Sequence, residues 1–300
     1  MKFSKMHGIG NDYVYVNGFE EKVSDKSAMA VRVSDRHFGI GSDGLIFINP
    51  SDKADFEMEM YNSDGSRAEM CGNGIRCVAK YVFDNRMTDK TEFNIETLGG
   101  IKKIKINPDE SGRAAKSIMV DMQPPILKAE DVPAVRDLFA ENNADTLPEI
   151  GEAAKAVGAI VNMNLRVCDK DYGVTCVSMG NPHAVVFIDE PVKDFPLEAI
   201  GPVFEVHKAF PRHTNTEFVR LIDRKTIEMR VWERGAGETL ACGTGACACV
   251  VACILNGLTD NEVTVRLLGG DLKISWDGKE DSSVFMEGPA AFVFTGEIGG

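Results

Sequence analysis

The chain lacks the long apolar segments and the excess of positive charge that membranes and nucleic acids require. Its longest apolar run, around Cys247–Leu255, falls far short of the roughly 20 residues of a membrane span. The first residues, MKFSKMHGIGNDY, contain no apolar stretch of signal-peptide length. Acidic residues outnumber basic ones, 46 to 33, which gives a net charge of −13 and disfavours phosphate backbones and anionic membranes. We therefore expect a cytoplasmic protein with neither nucleic acid nor membrane as partner.

Paired metal-binding knuckles are also missing, although the chain has eight cysteines. Zinc ribbons and knuckles favour two C-x₂₋₄-C pairs or histidine partners at fixed spacing. Four cysteines do cluster within Cys242–Cys253, but they lie among Ala and Val residues. We therefore predict no metal site and expect most of these cysteines to be small, reduced residues of the core.

What the chain does have is the composition of an ordinary globular protein. Apolar residues make up 44% and charged residues 26% of the sequence, which excludes disordered and fibrous classes. A length of 300 residues favours two domains at about 150 residues each.

An internal repeat supports this division. When the chain is shifted against itself by 170 or 171 residues, four blocks align in order. The paired blocks are Ile9–Val14 with Met179–Ala184, Met60–Asn62 with Val231–Glu233, Cys71–Gly74 with Cys242–Gly245, and Glu92–Ile106 with Glu262–Trp276. Gly-Asn and Gly-Gly are common turn dipeptides, but four matches at nearly one offset indicate two domains of the same fold.

Periodicity predicts that each half is rich in strands and holds one apolar helix. The helices are predicted at Gly74–Phe83 and at Gly245–Leu255, and the second is apolar nearly all round and therefore buried. Strands are predicted at Phe56–Tyr61, Phe93–Ile95, Ile101–Ile106, Ala184–Ile188, Glu217–Ile222, Thr226–Trp232 and Val263–Leu267.

The segment from Gln123 to Gly158 differs, because it contains four prolines among acidic and Ala residues. We interpret it as a linker with an insertion, with a short helix at Val132–Glu141 capped by Asp131. The predicted domains are therefore 1–120, to which a strand at about 290–300 returns, and 121–289, which includes the segment 123–158.

Cys71 and Cys242 occupy the same position of the repeat, just before a Gly-x-Gly that opens the predicted helix. The first turn of a helix has unpaired N–H groups and the positive end of the helix dipole, so we expect lowered thiol pKa values and a cradle for a carboxylate. If the two halves pack with pseudo-two-fold symmetry, the thiols face each other. Such a pair suits the inversion of a stereocentre, in which one thiolate removes a proton and the opposite thiol returns one.

The chain resembles a known family, the diaminopimelate epimerases. The motifs that carry the resemblance are Gly8–Asp12, Gly41–Gly44, Tyr61–Ser66, Met70–Arg76, Gly180–His183 and Glu233–Gly245. The resemblance covers nearly the whole chain. It implies an α+β fold of two similar, pseudo-two-fold-related domains, each a β-barrel-like sheet around a central helix. It further implies interconversion of LL- and meso-diaminopimelate without cofactor, for lysine and peptidoglycan synthesis, and a homodimer.

The resemblance also implies a role for each matching residue. Cys71 and Cys242 are similar to the family's catalytic acid/base pair, and His183 and Glu233 to residues that tune the thiols. The positions similar to the family's substrate-binding residues are Asn11, Asn62, Gly72, Asn73, Asn181, Asn215, Glu233, Arg234, Gly243 and Thr244. Gly44 departs from members that carry a substrate-contacting Gln there.

Three other functions remain open from the residues alone. A proline racemase or hydroxyproline epimerase would use the same two-cysteine chemistry, although the polar cluster around Asn73 and Glu233-Arg234 argues against it. The clustered cysteines also suit a non-enzymatic thiol redox or metal-binding protein. A pyridoxal phosphate enzyme is less favoured, because no Lys lies in an obvious cofactor motif.

Overall fold

A computed structural model describes residues 1–142 and 147–299. The chain divides into two compact units. Unit 1 consists of Met1–Asp121 with Glu287–Gly300, and unit 2 of Met122–Met286. Within the described ranges, every helix is too short or too polar to span a bilayer.

Unit 1 is built from strands and two helices. Its helices are α1 (Lys26–Ser34) and α2 (Gly72–Asp84). Its strands are β1 (Lys2–Gly8), β2 (Asn11–Asn17), β3 (Gly44–Asn49), β4 (Phe56–Asn62), β5 (Arg67–Ala68), β6 (Glu92–Thr97), β7 (Gly100–Pro108), β8 (Ala115–Asp121) and, near the end of the chain, β18 (Ala291–Glu297).

The sheet of unit 1 is mixed and curves around α2. Its strands pair in the order β18, β1, β2, β3, β4, β6, β7, β8, with parallel neighbours at β2/β3 and β4/β6. Helix α2 packs against β1 and β2 as well as β7 and β8, near the two ends of this order. Its inner face includes Ile75, Val78 and Val82, each without exposed surface. Burial of each such side chain contributes about 1.5–3 kcal/mol, so the helix forms the core of the unit.

Unit 2 repeats this plan with three helices. They are α3 (Glu149–Ala156), α4 (Leu197–Glu205) and α5 (Gly243–Leu255). Its strands are β9 (Met163–Val167), β10 (Lys170–Ser178), β11 (Pro182–Phe187), β12 (Asn215–Asp223), β13 (Thr226–Glu233), β14 (Gly237–Glu238), β15 (Glu262–Leu267) and β16 (Gly270–Ser275); β17 (Phe285–Gly288) leads back to unit 1. The pairing order is β9, β10, β11, β12, β13, β15, β16, with parallel neighbours at β11/β12 and β13/β15.

The two sheets agree in register as well as in order. Tyr13 pairs with Gly44 in unit 1, and His183 pairs with Asn215 in unit 2, at offsets of 170 and 171 residues. Ile46 opposite Met60 likewise corresponds to Glu217 opposite Val231. Helix α5 packs against β10, β11 and β12 as well as β15 and β16. An α+β chain of two similar units, each a mixed sheet packed around one helix, is thereby confirmed.

The predicted helix at Val132–Glu141 is wrong. The structure has turns there and a single 3₁₀ turn at Arg136–Leu138. The backbone forms hydrogen bonds with other segments instead: the Val135 N–H donates to the Ala209 carbonyl, and Ala140 pairs with Asn164. Burial of Val132 and Phe139 fixes this path. The predicted linker and insertion at 123–158 thus packs into unit 2, and its residues 143–146 lie outside the described ranges.

Helix α3, within this segment, packs on the end of α5 through a glycine. A Cβ at Gly151 would lie 2.2 Å from the Leu255 carbonyl oxygen, so Gly151→Ala must push the helices apart. We expect this substitution to lower the free energy of unfolding by about 1–3 kcal/mol in urea titrations. Glu152→Ala, on the exposed side of the same helix, is the matched control. Equal stability of the Gly151→Ala variant and the wild type would contradict this packing.

Candidate functional site

Cys71 and Cys242 each form the N-cap of the central helix of their unit. Each cap residue has extended backbone angles, and each sulfur accepts a hydrogen bond from the third residue of its helix. The distances are 3.3 Å from Gly74 N to Cys71 Sγ and 3.4 Å from Gly245 N to Cys242 Sγ. Each sulfur therefore lies at the positive end of a helix, beside backbone N–H groups that have no partner within the helix.

In unit 1 the thiol contacts a polar network at the start of β2. Cys71 Sγ donates to Asn11 Oδ1 at 3.1 Å, and Asn11 Nδ2 donates to Asp43 Oδ2 at 2.7 Å. Arg36 pairs with Asp43 at 2.9 Å and also with Asp12. This network holds the Asn11 amide in one orientation against the sulfur.

Two further predicted residues of unit 1 lie on α2 and at the end of β4. Asn73 is buried, and its Oδ1 accepts a hydrogen bond from Arg76 Nη2 at 2.9 Å. Arg76 also donates to the Gly72 carbonyl at 3.1 Å, so this fully buried guanidinium stabilises the first turn of the helix. Asn62 is partly exposed and donates to Ser66 Oγ at 3.0 Å.

In unit 2 the thiol lies among oxygen atoms. Cys242 Sγ is 3.5 Å from Thr244 Oγ1. Glu233, which ends β13, forms a short hydrogen bond with the Thr239 hydroxyl, and its negative charge acts on the thiol. Burial raises the pKa of the Glu233 carboxyl, an effect that the Thr239 hydroxyl opposes.

The expected lowering of the thiol pKa values is wrong for the protein without substrate. Burial raises the pKa of Cys71, and it outweighs the N–H groups of Gly74 and Asn73, which act in the opposite direction. Burial also raises the pKa of Cys242 well above that of a free thiol, and the negative charges of Glu233 and Glu217 add to the shift. The helix N-terminus therefore lowers the free energy needed to ionise each thiol, but the thiol stays protonated in the resting protein.

Asn215 and Arg234 are linked through the backbone. The buried Asn215 amide donates to the Pro182 carbonyl at 2.8 Å and accepts from the Arg234 N–H at 2.9 Å. Asn215 therefore positions both neighbouring segments. The Arg234 side chain is exposed and donates to the Arg212 carbonyl at 3.1 Å.

His183 and Asn181, at the start of β11, contact each other. His183 Nε2 lies 3.1 Å from Asn181 Oδ1, and His183 Nδ1 lies 2.7 Å from Glu217 Oε1. Both His183 and Glu217 are without exposed surface. The sequence analysis missed Glu217; an acidic residue at an inward position of an apolar strand is the signal that could have found it.

Tyr13 and Asp43 are two further residues that the sequence analysis did not assign. Tyr13 is buried beside Cys71, and burial together with the neighbouring thiol raises its pKa well above the ordinary value. Asp43 orients Asn11, and it lies within the Gly41–Gly44 motif. Gly44 itself has no room for a side chain, because a Cβ there would lie 2.1 Å from the Tyr61 carbonyl oxygen.

Over residues 1–142 and 147–299, no three His, Cys, Asp or Glu side chains are grouped so that they could hold a metal ion. The three cysteines within α5, which are Cys247, Cys249 and Cys253, are fully buried in unit 2.

The raised pKa of Cys71 predicts slow alkylation near neutral pH. In a Cys168→Ser variant, which lacks the exposed cysteine, we expect iodoacetamide to modify Cys71 more slowly at pH 7 than it modifies a cysteine in an unstructured peptide. Because the thiol loses its proton only above the pH range in which an ordinary cysteine ionises, the alkylation rate should still rise beyond pH 9. Mass spectrometry of the modified peptide measures this, and a plateau below pH 8 would contradict it.

A family model and full-length relatives match most of the chain. The family model described as "Diaminopimelate epimerase" matches residues 3–127 and 175–293. The proteins named diaminopimelate epimerase from Agathobacter rectalis and Methanococcus maripaludis are 56% and 54% identical to the chain, each over 99% of both sequences.

Solved structures share the fold at much lower identity. A phenazine biosynthesis protein of the PhzF family from Bacillus anthracis has a TM-score of 0.67 at 17% identity, covering 99% of this chain and 98% of that one. A probable proline racemase from Agrobacterium radiobacter has a TM-score of 0.65 at 12% identity, covering 99% and 92%. At such identities these structures show the fold alone. The family match and the full-length relatives show that the chain belongs to the diaminopimelate epimerase family.

Proposed function

We propose that the chain inverts one α-carbon of 2,6-diaminopimelate by proton transfer through Cys71 and Cys242. The family interconverts the LL and meso isomers, and this chain is an isomerase of that class. The reaction belongs to lysine biosynthesis, and we propose that it also feeds peptidoglycan synthesis.

The observation that carries the assignment is the pair of thiols at matched helix N-termini. A Cys thiolate takes the α-proton and becomes a thiol, and the other thiol gives its proton to the opposite face and becomes a thiolate. Each turnover thus leaves the pair ready for the reverse reaction. The α-hydrogen of an amino acid is a very weak acid, so charge that develops on the carboxylate must be stabilised where donors are preorganised. The N–H groups of Gly72-Asn73 and Gly243-Thr244 are suited to this role.

Because the thiol pKa values are raised, substrate binding has to favour the formation of a thiolate. In the resting protein both thiols hold their protons near neutral pH. The ammonium group of a bound amino acid adds positive charge and favours a thiolate nearby. We propose that one thiol gives up its proton to solvent as the substrate binds and so becomes the base, and that Glu233 and His183 set the protonation of the thiols.

We propose that the polar residues of both units hold the second, unreactive amino acid centre. Amide side chains both donate and accept, so they suit a group that carries an ammonium and a carboxylate. Arg234 is exposed and able to take a carboxylate in bidentate fashion. The proposed substrate-binding residues are Asn11, Asn62, Asn73, Asn181, Asn215, Glu233 and Arg234.

Replacing either thiol should abolish epimerisation. We expect Cys71→Ala and Cys242→Ala each to lower kcat by at least about a thousandfold, because general acid–base catalysis contributes about 10²–10⁴-fold per group. The conversion of LL-diaminopimelate to the meso isomer, followed by chiral chromatography, measures this. Cys77→Ala and Cys249→Ala, in the interiors of α2 and α5, are the matched controls and should retain activity. Substantial activity in either N-cap variant would contradict the assignment.

The second candidate is a racemase or epimerase of proline or hydroxyproline. The shared fold of the solved proline racemase and hydroxyproline epimerase favours it. A cyclic amino acid has no distal ammonium and carboxylate, so the polar residues above would then lack a ligand. Turnover of proline without turnover of diaminopimelate would establish this alternative.

We also propose that the chain is cytoplasmic, since the mechanism requires reduced thiols.

We further propose that the chain forms a homodimer through unit 1. Strand β18 exposes Phe292, Val293 and Phe294, whose exposed fractions are 37%, 55% and 46%. Apolar side chains grouped in this way mark a protein–protein contact.

A charge on β18 should therefore change the oligomeric state. We expect wild type to elute with the mass of a dimer in size-exclusion chromatography with light scattering, and Val293→Lys to shift it toward the mass of a monomer. Val31→Lys, at an exposed apolar position of α1, is the control and should leave the mass unchanged. A monomeric wild type would refute the proposal.

A further inference from the structure

The buried carboxylate of Glu217 has no counterpart in unit 1. Glu217 lies in β12 beneath the first turn of α5, where a Cβ at Gly245 would be 2.5 Å from Glu217 Oε1. The corresponding position in unit 1 is Ile46, whose Cδ1 lies 2.9 Å from the Cβ position of Gly74. His183 likewise corresponds to Tyr13, because each pairs with the matching residue of the next strand.

This asymmetry shows that the fold does not require a charged pair at this place. Unit 1 fills the same volume with Ile46 and Tyr13, both buried. Replacement of a buried ion pair by apolar residues is often neutral or stabilising, so retaining Glu217 and His183 costs stability or at best leaves it unchanged. Glu217 Oε2 moreover has no hydrogen-bond partner among the described residues. A costly group that the fold can replace indicates a function.

The contacts of His183 define where its hydrogens lie. Its Nδ1 faces a carboxylate oxygen of Glu217 and its Nε2 faces the amide oxygen of Asn181. With Asn181 Oδ1 toward the ring, Nε2 carries a hydrogen and donates it to that oxygen.

This hydrogen bond holds the Asn181 amide with its oxygen toward His183. With Oδ1 held by His183, the amide presents Nδ2, which is a donor, to whatever lies beyond it. A donor binds a carboxylate oxygen and does not bind an ammonium group.

We propose that Glu217 is a positioning residue, which acts through His183 to orient the Asn181 amide so that its Nδ2 donates to a substrate carboxylate. The proposal rests on the assignment of Asn181 to substrate binding above. It gives His183 a role in positioning the substrate, beside any effect on the thiols.

The experiment combines kinetics with NMR of His183. Glu217→Leu removes the partner of Nδ1, whereas the amide N–H of Gln in Glu217→Gln donates to Nδ1 and so keeps the ring hydrogen on Nε2. We expect KM for LL-diaminopimelate to rise about tenfold in Glu217→Leu, equal to about 1.4 kcal/mol of lost binding. Because the negative charge of Glu217 also acts on the Cys242 thiol, kcat should change as well, and KM is the constant that reports on the positioning. Glu217→Gln should restore most of the loss. Thr216→Val, which removes a buried and unpartnered hydroxyl from the same strand, is the matched control and should leave both constants unchanged.

A double-mutant cycle tests the path through Asn181. In an Asn181→Ala background, Glu217→Leu should change KM by less than about twofold, because the residue that it orients is gone. A loss of kcat without a rise in KM, or an undiminished KM effect in that background, would overturn the proposal.

The ¹⁵N spectrum of labelled His183 reports on the relay without substrate. Wild type and Glu217→Gln should show a protonated Nε2, and Glu217→Leu a mixture of the two neutral tautomers. An unprotonated Nε2 in wild type would mean that the Asn181 amide is turned round, and the proposal would fail even if Glu217→Leu did not fold. If Asn181→Ala leaves KM unchanged while the spectra agree, the assignment of Asn181 to substrate binding is the part that fails.

Discussion

The structure depends on a thiol that serves as the N-cap of a buried helix. A cap residue must offer an acceptor to the unpaired N–H groups of the first turn, and serine, threonine or aspartate would do so more strongly. Cysteine at this place leaves these N–H groups less fully satisfied. The surrounding sheet then keeps water away from them: Gly74 packs under its cap between Ile46 and Met58, and Gly245 packs against Glu217. A weak cap in a dry site leaves donors aimed at whatever binds beside the sulfur.

The same environment explains why the thiols are protonated at rest. Removal from water disfavours a thiolate more than the backbone N–H groups favour it, two at Cys71 and one at Cys242, and near Cys242 two carboxylates add to the cost. An inverting pair benefits from this balance, because a permanently ionised cysteine is a poor acid and the reaction needs one acid and one base.

Much of this could be predicted from the sequence, and the failures have physical causes. The repeat at an offset of 170–171 residues predicted two similar units, and the Gly-x-Gly motifs placed both cysteines at helix starts, because local patterns determine these features. The helix at Val132–Glu141 failed because contacts with Ala209 and Asn164 outweigh the local preference. The prediction of lowered thiol pKa values was wrong because the sequence pattern indicates the helix dipole but does not indicate the burial that opposes it. Glu217 was missed because its partner His183 lies in a different strand, 34 residues away in the chain.

The central claim is that two different thiols act on the two faces of one carbon. Its most direct test follows the first few per cent of conversion of LL-diaminopimelate in deuterium oxide, with mass spectrometry of both isomers. If one thiol removes the proton and another, already exchanged with solvent, returns one, the meso product carries one deuterium at the inverted carbon while the remaining LL substrate carries none. Product that retains the original hydrogen would show that a single group serves both faces, and would contradict the account.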